Sequence, residues 1–252
     1  MADARSGRRI QGLDAARLAF GILAAAGALP LAEANSIQVM PSAALGGSRF
    51  GLELKLDDPA SNRAKDAYVA IGHEKGLQGE ASLEVGFTLD PSGLVAARDG
   101  RPGTLSFLRL SRRRGRSGAG LVVFVEQTPQ NTWLIGAWSW DDATDRFVLA
   151  GRAPLPFELA TASAPSALPP RIEIEWATAS EPAGRARGYL RVLSVASDGE
   201  RALLLENADL DNARQLVSYV QLGVVAADHA PGVSGRLLLD DFEINRTAPP
   251  LP

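Results

Sequence analysis

Residues 219–246 read YVQLGVVAADHAPGVSGRLLLDDFEINR, and this stretch decides the fold class of the chain. Two runs in which apolar and polar residues alternate flank a loop that is rich in Gly, Pro and Ser. An alternation of period two puts successive side chains on opposite faces of a β-strand. The stretch therefore predicts the last two strands of an antiparallel β-sandwich, with the final strand returning through the core.

The same strand period recurs along most of the chain. Turn sequences such as Asp-Pro-Ser-Gly at 90–93 and Asp-Gly at 198–199 separate the runs. We therefore expect an all-β protein, an antiparallel two-sheet β-sandwich of the jelly-roll kind with roughly twelve to thirteen strands. The clearest alternating runs cover residues 49–56, 81–90, 104–112 and 171–178.

Composition narrows the range of functions without choosing one. The 252 residues carry a formal net charge of −3. Because no segment is persistently basic, nucleic acid is not an expected partner. The chain has no cysteine, which excludes disulfides, thiolate metal ligands and a cysteine nucleophile.

The N-terminal segment has the three parts of a secretory signal peptide. Four arginines precede an apolar run over residues 18–32, and the small-x-small sequence Ala-Glu-Ala follows at 32–34. An uncleaved membrane anchor is the alternative, although the run falls short of the roughly 20 apolar residues that a spanning helix prefers. We therefore predict a signal peptide at residues 1–34 and an exported product, periplasmic or extracellular, with no membrane span after cleavage.

One domain is expected to follow the signal peptide. Residues 160–170 (ATASAPSALPP) form a low-complexity stretch, but similar strand patterns flank it on both sides, which indicates a loop rather than a linker. Residues 247–252 are rich in proline, which lacks the N–H that sheet pairing needs. The predicted organisation is a single sandwich domain at residues 35–246 followed by a disordered tail.

The order of the strand motifs resembles that of a known kind of domain. The motifs are DAYVAI at 66–71, VGFTLDPSGL at 85–94, RIEIEW at 171–176, GYLRVLSVASDGE at 188–200, VQLGV at 220–224 and LLLDDFEINR at 237–246. Together they resemble the concanavalin A-like, laminin-G-like sandwich domains of exported bacterial proteins of unknown function. The resemblance implies two curved antiparallel sheets, with calcium at one rim in some members and a sugar or protein bound on the concave face or at loops. The run at 188–195 departs from it, because the Val-Asp-Gly ending usual there is absent.

A pair of tryptophans could form a sugar-binding surface. Trp138 and Trp140 share one face of a predicted strand, and Asp141, Asp142 and Arg146 lie at the turn that follows. Flat apolar rings beside polar groups are what stacking against a sugar ring requires. The alternative is that the two tryptophans fill the sandwich core.

Two glutamates on one strand could form a catalytic pair. Glu173 and Glu175 share one face of their predicted strand. Retaining glycoside hydrolysis needs two carboxyl groups about 5 Å apart, which such a pair could supply. A solvated outer face of the sheet is the simpler explanation for both residues.

The final strand raises the question of a metal site. Strict alternation puts Asp240 on the same face as Leu238, Phe242 and Ile244, whereas Asp241 lies on the other face. A carboxylate on an apolar face needs a partner. We therefore consider Asp240 a candidate ligand for structural calcium, with an arginine or backbone amides as the alternative partners.

These observations lead to three functional hypotheses. The main one is an exported, non-catalytic binding module with a glycan as the favoured ligand. The second is a structural or protein-interaction domain of the cell envelope. The third is a diverged glycoside hydrolase or lyase that uses Glu173 and Glu175. Outward-facing tryptophans would favour the first hypothesis, and a groove holding both glutamates beside an aromatic ring would favour the third.

Overall fold

The computed structural model of the chain describes ten stretches of sequence. These are residues 36–45, 48–56, 67–72, 77–96, 103–113, 118–130, 132–156, 169–179, 187–225 and 233–246. The predicted signal peptide at 1–34 and the predicted tail at 247–252 both lie outside the described residues and stay predictions. In the described stretches, no helix is long and apolar enough to cross a membrane.

The described stretches form fourteen β-strands and one short 3₁₀ turn, Pro41–Ala43, which confirms the all-β class. The strands are β1 Ser36–Met40, β2 Gly51–Leu56, β3 Ala67–Ile71, β4 Ser82–Asp90, β5 Leu94–Ala96, β6 Gly103–Ser111, β7 Ala119–Gln127, β8 Trp133–Asp141, β9 Arg146–Pro154, β10 Arg171–Ala177, β11 Gly188–Val195, β12 Arg201–Leu210, β13 Tyr219–Val224 and β14 Val233–Arg246.

The strands build two antiparallel sheets. The large sheet has eight strands in the order β1-β2-β14-β4-β10-β11-β12, with β5 paired to β14. The small sheet has six strands in the order β3-β13-β6-β7-β8-β9. The two strands of residues 219–246 belong to different sheets, because β13 lies in the small sheet and β14 near the middle of the large one. These two strands of the opening stretch are both present, one in each layer of the sandwich.

The core lies between the two sheets and is made by one parity of each strand. In β10, Ile172, Ile174 and Trp176 are fully buried. Phe87 of the large sheet meets Phe107 of the small sheet edge to face, with ring centroids 5.4 Å apart. The opposite parity of each strand therefore points away from the core, onto the outer face of its sheet.

A β-bulge in β14 changes this parity partway along the strand. The pairing of β14 with β4 shifts register between Asp240 and Glu243. Before the bulge Leu237 and Leu239 are buried in the core, whereas after it Ile244 is buried there. The prediction that Asp240 and Ile244 share one face of the strand was therefore wrong. A bulge inserts an extra residue that periodicity alone does not reveal.

Candidate functional site

The predicted site residues lie on two opposite outer faces of the sandwich. Trp138 and Trp140 are on β8 of the small sheet, whereas Glu173 and Glu175 are on β10 of the large sheet. Because the core separates the two sheets, the tryptophans and the glutamates cannot contribute to one site. Each face is therefore considered by itself.

Four large side chains form a surface on β8 and β9 that we call the aromatic patch. Trp138 lies opposite Leu149, and Trp140 lies opposite Phe147. Trp140 and Phe147 meet edge to face with centroids 5.3 Å apart, and the side chain of Trp138 is 38% exposed. Both tryptophans of the predicted pair thus belong to the outer face rather than to the core.

The packing beneath the patch explains how Trp138 stays at the surface. Its ring lies 5.9 Å from that of Phe124 on the neighbouring strand, centroid to centroid. Phe124 in turn covers Gly136, where an added Cβ would overlap the phenyl ring. The glycine lets Phe124 lie flat on the sheet, and Trp138 then rests against it.

The acids beside the patch are occupied within the protein. Asp141 accepts hydrogen bonds from the backbone N–H and the hydroxyl of Thr144, both at 2.7 Å, and these bonds lower the pKa of Asp141. Asp142 accepts hydrogen bonds from the backbone N–H of Arg214 and the side-chain amide of Gln215, both at 2.8 Å. These two carboxylates hold the β8–β9 turn and fasten the segment before β13 to it, whereas Arg146 is exposed.

Asp240 is buried, with 6% of its surface exposed, and its carboxylate accepts three hydrogen bonds. The donors are the N–H of Leu45 at 2.6 Å, the N–H of Asp241 at 2.8 Å and the hydroxyl of Ser48. Calcium would need further oxygen ligands at these positions, where N–H and O–H donors stand instead. In the described stretches, no group of three or more His, Cys, Asp or Glu residues could hold a metal ion. The surroundings of Asp240 fit the backbone-amide alternative and do not fit calcium.

Charged side chains cover the outer face of the large sheet around β10, a surface that we call the glutamate face. Strand pairing aligns one row of polar and charged side chains directly across five strands. From β14 to β12 the row reads Asn245, Glu84, Glu175, Arg191 and Glu206. A second row holds Glu243, Gly86 and Glu173.

Two carboxylates stand opposite each other in the first row. Glu84 on β4 is the direct partner of Glu175 on β10. Like charges at such positions are destabilising, so the arrangement needs compensation. Arg201 approaches Glu84 at 3.8 Å and Glu175 at 3.7 Å, and Arg191 approaches Glu175 at 3.8 Å. The side chains of the two glutamates keep 20% and 21% of their surface exposed, so both remain within reach of a ligand.

Glu173 lies deeper in the same face, with 7% of its surface exposed. Its carboxylate is 2.6 Å from Nη2 of Arg201 and 3.6 Å from Nε of Arg171. The guanidinium of Arg171 lies over Gly86, where an added Cβ would stand 2.5 Å from Nη2, and it reaches Glu243 at 3.1 Å. The absence of a side chain at Gly86 gives Arg171 room between the two glutamates.

An aromatic residue borders the glutamates. Burial raises the pKa of Tyr189, and the negative charge of Glu175 raises it further. The guanidinium of Arg191 lies 5.6 Å from the centre of the Tyr189 ring. The Tyr189 hydroxyl therefore stays protonated at neutral pH and can donate a hydrogen bond toward the carboxylates.

Sequence reasoning identified Glu173 and Glu175 but missed Glu84, Tyr189 and Arg201. Each missed residue lies on a correctly predicted strand, or on one next to it. The missing information was the register, because only the pairing of β4 with β10 brings Glu84 opposite Glu175. A Glu at the outward parity of ASLEVGF was the only signal in the sequence.

No family model matches the chain, and no curated protein matches it. Solved structures that match the chain include the alginate lyase Aly36B, at 11% identity and a TM-score of 0.46, over 79% of this chain and 82% of that one. An alginate lyase from Aplysia kurodai matches at 7% identity and a TM-score of 0.44, over 82% and 86% of the two chains. An engineered GH43 glycoside hydrolase matches at 16% identity and a TM-score of 0.46, over 84% of this chain and 36% of its own.

The comparisons correct the main functional hypothesis. We expected a non-catalytic binding module, but the similar solved structures are mostly alginate lyases, with a glycoside hydrolase among them. That hypothesis was wrong, and the catalytic alternative agrees better with them. The sandwich architecture itself is shown by the two antiparallel sheets of the chain. At these identities no residue role is transferred to this chain.

Proposed function

We propose that the chain is a glycan-active enzyme that hydrolyses glycosidic bonds on the glutamate face. The observation that carries this proposal is the direct pairing of Glu84 with Glu175 on neighbouring antiparallel strands. Residues paired in this way have Cβ atoms about 4.5–5.5 Å apart. That spacing suits the carboxyl separation of about 5–5.5 Å in retaining glycosidases. The pair thus offers one carboxylate as nucleophile and one carboxyl as proton donor.

The surroundings of the pair support hydrolysis over elimination. A lyase that cleaves a uronic acid polymer must remove a proton from carbon, which needs a base. Tyr189, whose pKa is raised, is unsuited to that task because its hydroxyl holds its proton. The same hydroxyl is suited to donate a hydrogen bond to a sugar oxygen or to the nucleophilic carboxylate. Glu173 lies two residues before Glu175 on the same face of β10, and it adds a third acid beside the pair.

The aromatic patch supports a second part of the same proposal. Trp138 and Trp140 would contact another segment of the polysaccharide on the opposite face, with Arg146 as the exposed polar neighbour. Asp141 and Asp142 would contribute by holding the turn that carries Arg146. Such a surface would raise the affinity for a long polymer without touching the bond that is cleaved.

Export completes the proposal. The segment at residues 1–34 supports a cleaved signal peptide, and the mature enzyme would then be one sandwich domain at 35–246 with a loose tail at 247–252. A soluble exported enzyme acting on extracellular glycans fits this organisation. N-terminal sequencing of protein recovered from the periplasm or the medium would test the cleavage after Ala34.

The proposal is tested by incubating the mature protein with a panel of neutral and acidic polysaccharides, alginate among them. We expect new reducing ends without unsaturated sugars, and we expect Glu84→Gln and Glu175→Gln each to abolish the cleavage. Glu126→Gln is the matched control, because Glu126 is a partly buried glutamate ion-paired to Arg152 at 3.3 Å on the other sheet.

Three outcomes would contradict the proposal. One is that no polysaccharide of the panel is cleaved. Another is that the two glutamine variants cleave as fast as the control variant does. The third is the formation of unsaturated products, which would mean that the enzyme is a lyase that cleaves by elimination.

A further inference from the structure

Glu84 and Glu175 have different surroundings, although strand pairing makes them direct neighbours. A retaining glycosidase needs one carboxylate that attacks the sugar and one carboxyl group that gives up a proton. The two groups must therefore meet different partners at their oxygen atoms. The contacts of each oxygen indicate which of the two glutamates has which role.

Both carboxylate oxygens of Glu175 face a cation. Oε1 is 3.7 Å from Nη1 of Arg201, and Oε2 is 3.8 Å from Nη1 of Arg191. An ionised carboxylate spreads its negative charge over both oxygens, so a guanidinium beside each of them matches this form. A proton on either oxygen would face an N–H donor. The surroundings of Glu175 therefore suit the nucleophile.

The partners of Glu84 gather at one of its two oxygens. Oε1 accepts a hydrogen bond from Nδ2 of Asn245 at 3.3 Å and lies 3.8 Å from Nη2 of Arg201. In the stretches that the structure describes, Oε2 has no hydrogen bond and no ion pair. A proton on Oε2 would meet no competing donor, and 20% of this side chain is exposed, so a leaving oxygen could reach it. The surroundings of Glu84 therefore suit the proton donor.

Arg191 distinguishes the two glutamates. Its Nε donates a hydrogen bond to Oε1 of Glu206 at 2.7 Å, and its guanidinium lies 5.6 Å from the centre of the Tyr189 ring. With the guanidinium held in this way, Nη1 stands 3.8 Å from Glu175. Arg201 approaches both members of the pair, whereas Arg191 forms an ion pair with Glu175 alone of the two. The charge of Arg191 therefore acts on Glu175 more than on the paired glutamate.

We propose that Glu175 is the nucleophile, that Glu84 is the proton donor, and that Arg191 is a positioning residue that stabilises Glu175 when it leaves the sugar. This inference rests on the proposed function and assigns the roles within its glutamate pair. In the first step, an oxygen of Glu175 attacks the anomeric carbon and forms a glycosyl ester. The glycosidic C–O bond breaks, and its electron pair stays on the leaving oxygen, which takes the proton from Oε2 of Glu84.

The second step returns the enzyme to its initial state. The carboxylate of Glu84 takes a proton from a water molecule, and the water oxygen forms a bond to the anomeric carbon. The ester bond breaks, and its electron pair stays on the carboxylate of Glu175. Arg191 stabilises the negative charge that develops there. Because Glu175 loses its charge in the first step and regains it in the second, Arg191 favours the second step.

Azide rescue of two variants tests the assignment of the glutamates. The mature Glu175→Ala and Glu84→Ala proteins are incubated with sodium azide and a dinitrophenyl glycoside of the sugar that the wild-type protein releases. Dinitrophenolate leaves without a proton, so Glu84→Ala can still form the ester. In Glu175→Ala, azide should attack the anomeric carbon directly and give a glycosyl azide of inverted configuration. In Glu84→Ala, azide should attack the ester in place of water and give the retained configuration, and NMR distinguishes the two products.

Transient kinetics of Arg191→Ala test the positioning role. With the same glycoside, we expect a burst of dinitrophenolate followed by turnover about tenfold slower than in the wild type, because the ester accumulates. A residue that only stabilises the fold would not produce a burst. Arg191→Lys, which keeps a positive charge, should restore part of the turnover. Arg152→Ala is the control and should behave as the wild type does, since Arg152 is an exposed arginine paired with Glu126 on the other sheet.

The outcomes separate the inference from the proposed function. Exchanged configurations of the two azides, or no azide from either variant, would overturn the assignment, while cleavage by the wild-type protein would still support hydrolysis. No burst in Arg191→Ala, or a burst in Arg152→Ala, would overturn the role of Arg191. If the wild-type protein cleaved no glycan, the proposed function would fail and the inference with it. Almost half of the Arg191 side chain is exposed, so its variants should fold even where a glutamate variant does not.

Discussion

The two outer faces of this sandwich treat their acidic residues in opposite ways. On the glutamate face, Glu84 and Glu175 stand directly opposite each other and share arginines that reach them only loosely. Beside the aromatic patch, Asp141 and Asp142 are each hydrogen-bonded at short distance to turns of the chain. Like charges kept together at an energetic cost indicate chemistry, whereas well-bonded acids beside exposed rings indicate structure and contact.

The largest expected effect separates the faces by their kinetic parameters. Glu175→Gln should lower kcat for glycan cleavage by about 100-fold or more, because it removes a reacting carboxylate. Trp138→Ala should leave kcat within about twofold and raise KM for long polymers, because stacking holds the chain without touching the reacting bond. Steady-state kinetics of both variants on the same polysaccharide measure the two effects. A fall of kcat in Trp138→Ala would place the chemistry on the small sheet instead.

The next effect distinguishes two kinds of acid on one sheet. Asp240→Ala should lower the free energy of unfolding by about 3 kcal/mol, because three donors around a buried carboxylate lose their acceptor. Asp209→Ala is the control, since Asp209 is largely exposed and forms a surface ion pair with Arg187, worth less than about 1 kcal/mol. Urea denaturation measures the free energy of unfolding of both variants. An Asp240→Ala variant as stable as the control would show that the segment at Leu45 and Ser48 does not depend on this carboxylate.

These residues show how far the sequence predicts the molecule. Period-two alternation identified the strands and the outward parity of Glu173 and Glu175, because side-chain direction is a local property of a strand. The register of β4 on β10 is a long-range property, so the partner Glu84 could not be predicted. The bulge after Asp240 is likewise invisible to periodicity, and it places Asp240 and Ile244 on opposite faces although strict alternation predicts one shared face. Asp240 does have partners, as burial requires, and they are two backbone amides, which the sequence left as an alternative, and the hydroxyl of Ser48.

Alanine substitutions at two glycines compare the stiffness of the two faces. Gly136→Ala should destabilise the protein by about 2–3 kcal/mol, because its Cβ would overlap the buried ring of Phe124. Gly86→Ala should cost less than about 1 kcal/mol, since the overlapping group is the mobile end of Arg171. Thermal melting of the two variants gives the order. The reverse order would mean that Arg171 is held more rigidly than a phenyl ring in the sheet, and that the glutamate face is a fixed ion-pair lattice.

The smallest expected effect is on the melting temperature, which substitutions at Asp141 and Asp241 should change in opposite directions. Hydrogen bonds from Thr144 lower the pKa of Asp141, so its ionised form adds stability above the unfolded pKa, and this is lost as the pH falls through the folded pKa. Burial, and then the charge of Asp240, raise the pKa of Asp241, so its ionisation costs stability as the pH rises through the folded pKa. Asp141→Asn should therefore lower the melting temperature slightly at pH 7, whereas Asp241→Asn should raise it slightly.

Both differences should shrink in melts recorded at a pH below the two folded pKa values, where the wild-type carboxyls are protonated. Asparagine tolerates the left-handed backbone of Asp241, whose φ is 50°, so the substitution tests the charge and not the bulge. A lower melting temperature for Asp241→Asn at pH 7 would mean that attraction to Arg171 outweighs burial at this carboxylate. The bulge would then belong with the ion pairs of the glutamate face, and its charge would help to hold Arg171 over Gly86.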